Sequence, residues 1–305
     1  MKFNILSKRY WFFAFSLLLI LPGLIVLLIK GMPLSIDFTG GTMIELRFAD
    51  GTMPAREELE LATEDLGLSG CTVQTSGENN AIVRTEFLSD EQITAYINAM
   101  AEKYDQDPEA LQYNIQSVGP SIGSEVAKRA FGAVAAAAFG VILYIWFAFR
   151  SIPNSFRYGI CAIIAMIHDS LIVISLSVFG QFWGWQFSSL TLTALLTVIG
   201  FSVQDKIVVF DRIRENSRLL KHVDYEVLVN HSIVQTLERS INTQLMTSEF
   251  MLLSMALLGG ASLRDFSIIL LVGLLMGTYS SIFIAAPMLV VWENREWKNW
   301  FKKQR

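Results

Sequence analysis

A polytopic α-helical membrane protein with one extracytoplasmic α+β domain is the fold this sequence predicts, on three observations. Six apolar stretches are each long enough to cross a bilayer, one segment of soluble composition separates the first from the second, and Lys and Arg collect on alternate links. The bulk composition agrees: 305 residues, 52% hydrophobic and 17% charged, with a mean hydropathy of +0.44, lie outside the range of a soluble domain.

A spanning helix needs about 20 mostly apolar residues. Tyr10 to Ile29, Ala130 to Phe149, Tyr158 to Phe179, Phe187 to Phe210, Ile241 to Leu258 and Phe266 to Trp292 meet that need. The first run is too long for a signal-peptide core, and KGMPLSID after it offers no small-x-small cleavage site, so it counts as a span. Cytoplasmic loops retain Lys and Arg. Lys8 and Arg9 precede span one, Arg150 and Arg157 bracket the link between two and three, Arg212, Arg214, Arg218, Lys221 and Arg239 fill the link between four and five, and Arg295 to Arg305 form a basic tail. With six spans these lie on one side, so both termini are expected in the cytoplasm. The chain divides into an N-terminus and first helix (1–29), an outer domain (30–128), helices two to six (129–292) and the tail (293–305). The net charge of −4 comes partly from the outer segment; it says little about partners, and no nucleic-acid partner is expected.

The outer segment reads as βαββαβ. TMIELRF is a strand offering Met43, Leu46 and Phe48 to a core, and the helix after Pro54 keeps Leu59, Ala62 and Leu66 on one face. CTVQTS and NAIVRTEF flank the turn-forming GENN as a hairpin. A second helix follows with Ser89 as N-cap and a stripe of Ile93, Tyr96, Ile97 and Met100, and YNIQSV is the last strand. This order predicts a ferredoxin-like sheet with two helices on one face, the other face left for a partner or substrate.

Catalytic chemistry finds little support. GPSIG, Gly119 to Gly123, matches G-x-S-x-G, but His168, His222 and His231 all fall in or beyond the membrane, so the stretch reads as a junction turn into span two. No Walker A, H-E-x-x-H or paired-cysteine motif appears, and no enzyme activity, metal or cofactor is expected. Cys71 and Cys161 fall in different regions and are not expected to pair.

The polar residues inside the spans carry the functional signal. A charge at mid-membrane costs at least about 2.5 kcal/mol unless it faces a partner or water. Span three holds His168 and Asp169, span four Asp205 and Lys206, and span five Glu249, with Arg239 near its start. An ion relay and a polar clasp both fit this set. Lys206 pairs with Glu249 on one expectation and snorkels to the headgroups on the other. GLLMG, Gly273 to Gly277, reads as close helix packing.

IDFTGGTMIELRF, SVGPSIGSEV, HDSLIV, FSVQDKIVVFDRIREN and QTLERSINTQLMTS, in that order along nearly the whole chain, resemble the SecF subunit of the preprotein-translocation accessory complex SecDF. The resemblance implies a fold like the resistance-nodulation-division transporters, a SecD-like partner half, the SecYEG channel as neighbour, unfolded preprotein as substrate, and proton- or sodium-motive force as the drive. It implies that Asp205 conducts the ion and Arg239 modulates it, and that Asp37, Gly40 and Gly41 form a structural motif after helix one. The sequence departs from the family in reading Gln204-Asp205-Lys206, where Asn-Asp-Thr or Asn-Asp-Ser is usual, and in carrying Glu249. A cation beside Asp205 favours the ionised carboxylate. The resemblance leaves two other readings open: a small-molecule or lipid exporter of the same superfamily, and an ion-inert scaffold subunit.

Overall fold

Apolar runs and turn signals resolve, in the computed structural model, into helices and one sheet over residues 4–48, 53–68, 70–76, 79–104, 112–150, 155–244, 250–258 and 261–296. Five helical stretches among them are long and apolar enough to cross a bilayer: Leu6–Lys30, Pro120–Phe149, Ser155–Trp183, Ser189–Leu219 and Leu263–Glu293. The chain forms two compact units, one from Met1–Ile29, Val134–Leu176 and Thr193–Arg305, the other from Lys30–Ala133 and Ser177–Leu192.

In the helical unit, α1 (Arg9–Lys30) contains Pro22, and Ser175 of α6 (Ser155–Phe179) donates through Oγ to the carbonyls of Leu19 and Ile20 at 3.0 and 3.3 Å. Gly23 makes this approach possible, because a Cβ there would lie 2.4 Å from Ser175 Cα. α5 (Pro120–Phe149) and α7 (Ser189–Leu219) run beyond their apolar cores; the charged DRIRENSRL continues α7 because Arg, Glu and Leu are good helix formers in water. α8 (Tyr225–Gln244) and α9 (Phe250–Leu258) hold the described parts of the expected fifth span, whose residues 245–249 lie outside the described set. The last span is interrupted: α10 (Ala261–Ser280) passes through a π-helical turn, Ser281–Ala285, into α11 (Ala286–Glu293), with Pro287 in the first turn of α11.

Ion pairs gather one end of this unit. Arg9 bridges Glu226 at 3.0 Å and Glu296 at 2.6 Å, Tyr10 donates to Glu296 at 2.6 Å, and Arg157 pairs with Glu293. The segments before helix one, at the α6 start, at the α8 start and after α11 therefore share one end, as the distribution of basic residues requires.

In the second unit, α2 (Ile36–Thr39) leads into β1 (Gly41–Arg47), followed by α3 (Arg56–Asp65), β2 (Thr72–Ser76), β3 (Asn80–Thr85), α4 (Asp90–Lys103) and β4 (Gln112–Val118). The four strands pair antiparallel in the order β2-β3-β1-β4. Ile44, Leu46 and Phe48 enter the core with Leu59, Ala62, Val73, Val83 and the whole predicted stripe of α4. Met43 does not: alternate residues of a strand share a face, and its neighbours Thr42 and Ile44 have the opposite parity. Leu66 is likewise exposed because α3 ends at Asp65. Ser89 caps α4 in a reciprocal capping box with Gln92. The second face of the sheet is not wholly open. At the β2–β3 end the chain's own segment covers it: Arg84 donates to Gln74 Oε1 at 2.9 Å and to the Gly184 carbonyl at 3.3 Å, and Arg56 donates to the Phe182 carbonyl at 3.1 Å.

Burial pushes the Tyr96 hydroxyl well above the usual phenol range. An acid whose folded value is raised contributes stability that is present below its unfolded value and lost as pH rises toward the folded one. Stability of the full chain should therefore fall above about pH 10 with a one-proton share from this group, and Tyr96→Phe should remove that share; an unchanged alkaline slope in the variant would exclude it.

Candidate functional site

Three helices of the helical unit build the site. α6 carries His168 and Asp169, α7 carries Ser202, Asp205 and Lys206, and α10 carries Thr278, Tyr279 and Ser280. Small residues let α10 close on its neighbours: a Cβ at Gly273 would stand 2.4 Å from Val198 Cγ2 and 3.0 Å from Val173 Cγ2, and one at Gly277 3.4 Å from Ser202 Cβ. The G-x-x-x-G stretch is a packing device, and what it packs is a polar cluster.

At the centre of that cluster Lys206 Nζ lies 2.7 Å from Asp169 Oδ2, both residues at 0% exposure. Nζ also donates to Ser202 Oγ and, at 3.2 Å, to the Ser202 carbonyl. Asp169 Oδ2 further accepts from Ser202 Oγ at 2.5 Å and Ser280 Oγ at 2.7 Å, and Oδ1 faces His168 Nδ1 at 2.8 Å. All three donors of the ammonium are in use and both oxygens of the carboxylate have partners, as a buried pair requires. His168 stacks on Tyr279, its ring centroid 6.5 Å away, and its Nε2 is buried with no hydrogen-bond partner among the described residues.

These contacts give Lys206 a partner that the sequence reading does not name. The ammonium sits on Asp169 of the third span, whereas the sequence reading gives it to Glu249, which lies outside the described residues. Nor does it snorkel, since no part of Lys206 is exposed. Helical side chains lean toward the N-terminus of their helix, which carries the lysine back one turn to Ser202 and away from the basic end of α7. Asp169 is accordingly held by Lys206.

Asp205 points elsewhere, as adjacent helical residues must, being about 100° apart. It is 8% exposed and accepts from Thr278 Oγ1 of α10 at 3.1 Å. Arg239 is exposed on α8 and lines, with Ile207, Asp211, Glu215 and Gln235, a groove of ≈350 Å³ between α7 and α8. Asn216 crosslinks those helices by donating to Ser232 Oγ at 2.8 Å and Gln235 Oε1 at 2.9 Å. Ser202, Ser280, Thr278 and Asn216 are partners that sequence reasoning passes over, because single hydroxyls and amides in or near a span carry no distinguishing pattern.

The motif after helix one sits in the second unit. Asp37 Oδ2 accepts from the Ser189 amide at 2.8 Å, placing a carboxylate on the first turn of α7, where unpaired amides and the helix dipole favour it. Gly40, at φ +77°, meets the start of α5: Gly123, which donates to the Gly119 carbonyl in that first turn, would place a Cβ 2.6 Å from the Gly40 nitrogen. GPSIG is thus a tight junction against the diglycine, and both cysteines are free thiols.

The C-terminal model of the SecD/SecF protein-export membrane proteins matches residues 97–295, and the SecD/SecF GG motif matches residues 25–51. The chain is 59% identical to the protein translocase subunit SecF of Anaerolinea thermophila, over 98% of this chain and 97% of that one. It is 36% identical to the translocase subunit SecDF of Thermus thermophilus, over 96% of this chain but 39% of the longer relative. The crystal structure of SecDF from that organism aligns with a TM-score of 0.84 over 97% of this chain and 39% of that chain, at 36% identity. A SecDF crystal structure in a super-membrane-facing form, at 35% identity, aligns at 0.68 over 98% of this chain and 40% of that one.

Proposed function

Because the chain belongs to the SecF family of protein translocase subunits, we propose that it is a six-span SecF half that uses proton- or sodium-motive force to promote export of preproteins emerging from the SecYEG channel. A SecD-like chain supplies the other half. Relatives that fuse both parts in one polypeptide support this pairing. Ile241 to Leu258 is the fifth span, the β2-β3-β1-β4 unit is a ferredoxin-like domain on the outer side of the inner membrane, and both termini are cytoplasmic. The chain works as a transport subunit, not an enzyme.

The observation that carries this reading is Asp205, a nearly buried carboxylate set against the hydroxyl of Thr278 beside a separate, internally neutralised pair. An intramembrane carboxylate is a candidate ion-carrying group by default. His168 Nε2 and Arg239 are the further members of the path. Each charge crossing 100 mV supplies about 2.3 kcal/mol, enough to bias an outer domain between two positions and requiring repeated strokes for larger work.

Two measurements test the reading. In proteoliposomes containing the chain with its SecD-like partner, Asp205→Asn should abolish ion uptake, and Arg239→Ala should reduce it; uptake unchanged by Asp205→Asn would leave the scaffold reading. In a cysteine-free background, Trp183→Cys should react with an impermeant thiol reagent from outside and Leu219→Cys only from inside, both side chains being exposed. Outside labelling of Leu219→Cys would overturn the orientation. Gly184 is unsuitable for this purpose, since its φ of +82° and the 2.9 Å approach of Gln74 Cβ exclude a side chain.

A further inference from the structure

The surroundings of the Lys206 ammonium are those of a small hard cation. Nζ is met by the Asp169 carboxylate, the Ser202 hydroxyl and the Ser202 carbonyl, and the Ser280 hydroxyl closes on the same carboxylate oxygen. No nitrogen or sulfur takes part in these contacts, and carboxylate, carbonyl and hydroxyl oxygens are the ligands that hard cations choose. The oxygens come from α6, α7 and α10, so they are fixed by helix packing independently of the lysine, which reaches them along α7 from one turn away. All of these residues are at most 1% exposed, and one positive charge is needed there to balance Asp169.

We propose that Asp169, Ser202 and Ser280 form a monovalent alkali-cation site, and that Lys206 fills it permanently with a tethered ammonium. The chain supplies its own cation at this position, and the site cycles no ion. Shortening residue 206 to a small polar side chain opens the position and turns it into an exchangeable sodium site. This deepens the reading of an ion-coupled subunit by confining exchange to Asp205, and it rests on that reading only for its consequence in transport; the site itself is tested by binding and stability.

The full chain, Lys206→Thr, and Lys206→Thr with Asp169→Asn would be purified and melted in sodium chloride or in choline chloride of equal ionic strength, with sodium binding followed by equilibrium dialysis. The unsubstituted chain should show no sodium response that depends on Asp169, as the single Asp169→Asn variant measures. Lys206→Thr should bind one more sodium ion per chain and melt higher in sodium by about 3 °C or more, and the double variant should lose both effects. Three results would overturn the proposal: no added sodium binding in Lys206→Thr; a sodium response in the unsubstituted chain that Asp169→Asn abolishes; or a Lys206→Thr chain that fails to fold in sodium while the double variant folds. Ion uptake does not enter these readouts, so a failure of the export reading at Asp205 leaves them unaffected.

Discussion

Lys206→Met and Asp169→Asn should each destabilise the purified chain by about 3–5 kcal/mol, and the two together should recover most of that loss. Removing one member leaves a charge with no exposure and only uncharged or imidazole partners: Ser202, Ser280 and His168 for the carboxylate, the hydroxyl and carbonyl of Ser202 for the ammonium. Removing both leaves polar groups that can bond one another. Equilibrium unfolding of the two single variants and the double variant measures the coupling directly. Additive losses would mean that the pair contributes no more than its separate members. Glu249→Gln, the partner on one of the two sequence-based expectations, should show no coupling to Lys206→Met.

A second large effect is expected at the junction of the diglycine with α5. Gly40→Ala should cost about 1–3 kcal/mol from placing a side chain at φ +77° and about 1–3 kcal/mol more from overpacking, since its Cβ would stand 2.7 Å from Pro120 Cα. Gly123→Val meets Gly40 nitrogen at 2.6 Å and the Thr39 carbonyl carbon at 3.1 Å, backbone that no rotamer change relieves. Both should lower accumulation of folded chain severely, and α2 would carry Asp37 away from the first turn of α7. Gly132→Ala, on the same helix with nothing within 4 Å, is the control and should be silent. Normal thermal stability of Gly123→Val would show that the contact is dispensable.

Much of the architecture was legible because its signals are additive. Hydropathy summed over some twenty positions marks a span regardless of any single residue, and the α4 stripe repeats often enough to identify its four large buried members, missing only the small Ala101. Strand β1 shows the limit. Ile44, not Met43, faces the core, since a two-residue period over seven residues is easily read one position out. The π-helical turn after Ser280 and the cover that residues 182 and 184 lay over Arg56 and Arg84 depend on distant contacts and leave no local trace. At the site, the charged residues were identifiable by the cost of placing them in a membrane. Their pairing was not: choosing Asp169 over Glu249 requires knowing that Ser202 turns the lysine backward and that Ser280 arrives from a helix 111 residues further on.

That last separation has a consequence for biosynthesis. The cluster around Asp169 is completed by Ser280, and α10 reaches its place only by close approach at Gly273 and Gly277. At about 5–20 residues per second, the ribosome emits the helix bearing Ser280 on the order of ten seconds after the one bearing Asp169. For the first third of that interval Asp169 has no lysine, which follows 37 residues later, and for the rest the nascent chain holds a charged pair in or near the bilayer with one donor missing and one flank without its covering helix. The insertion machinery, or water at the lateral opening of the membrane channel, must shelter those groups until synthesis of the final helix ends the delay.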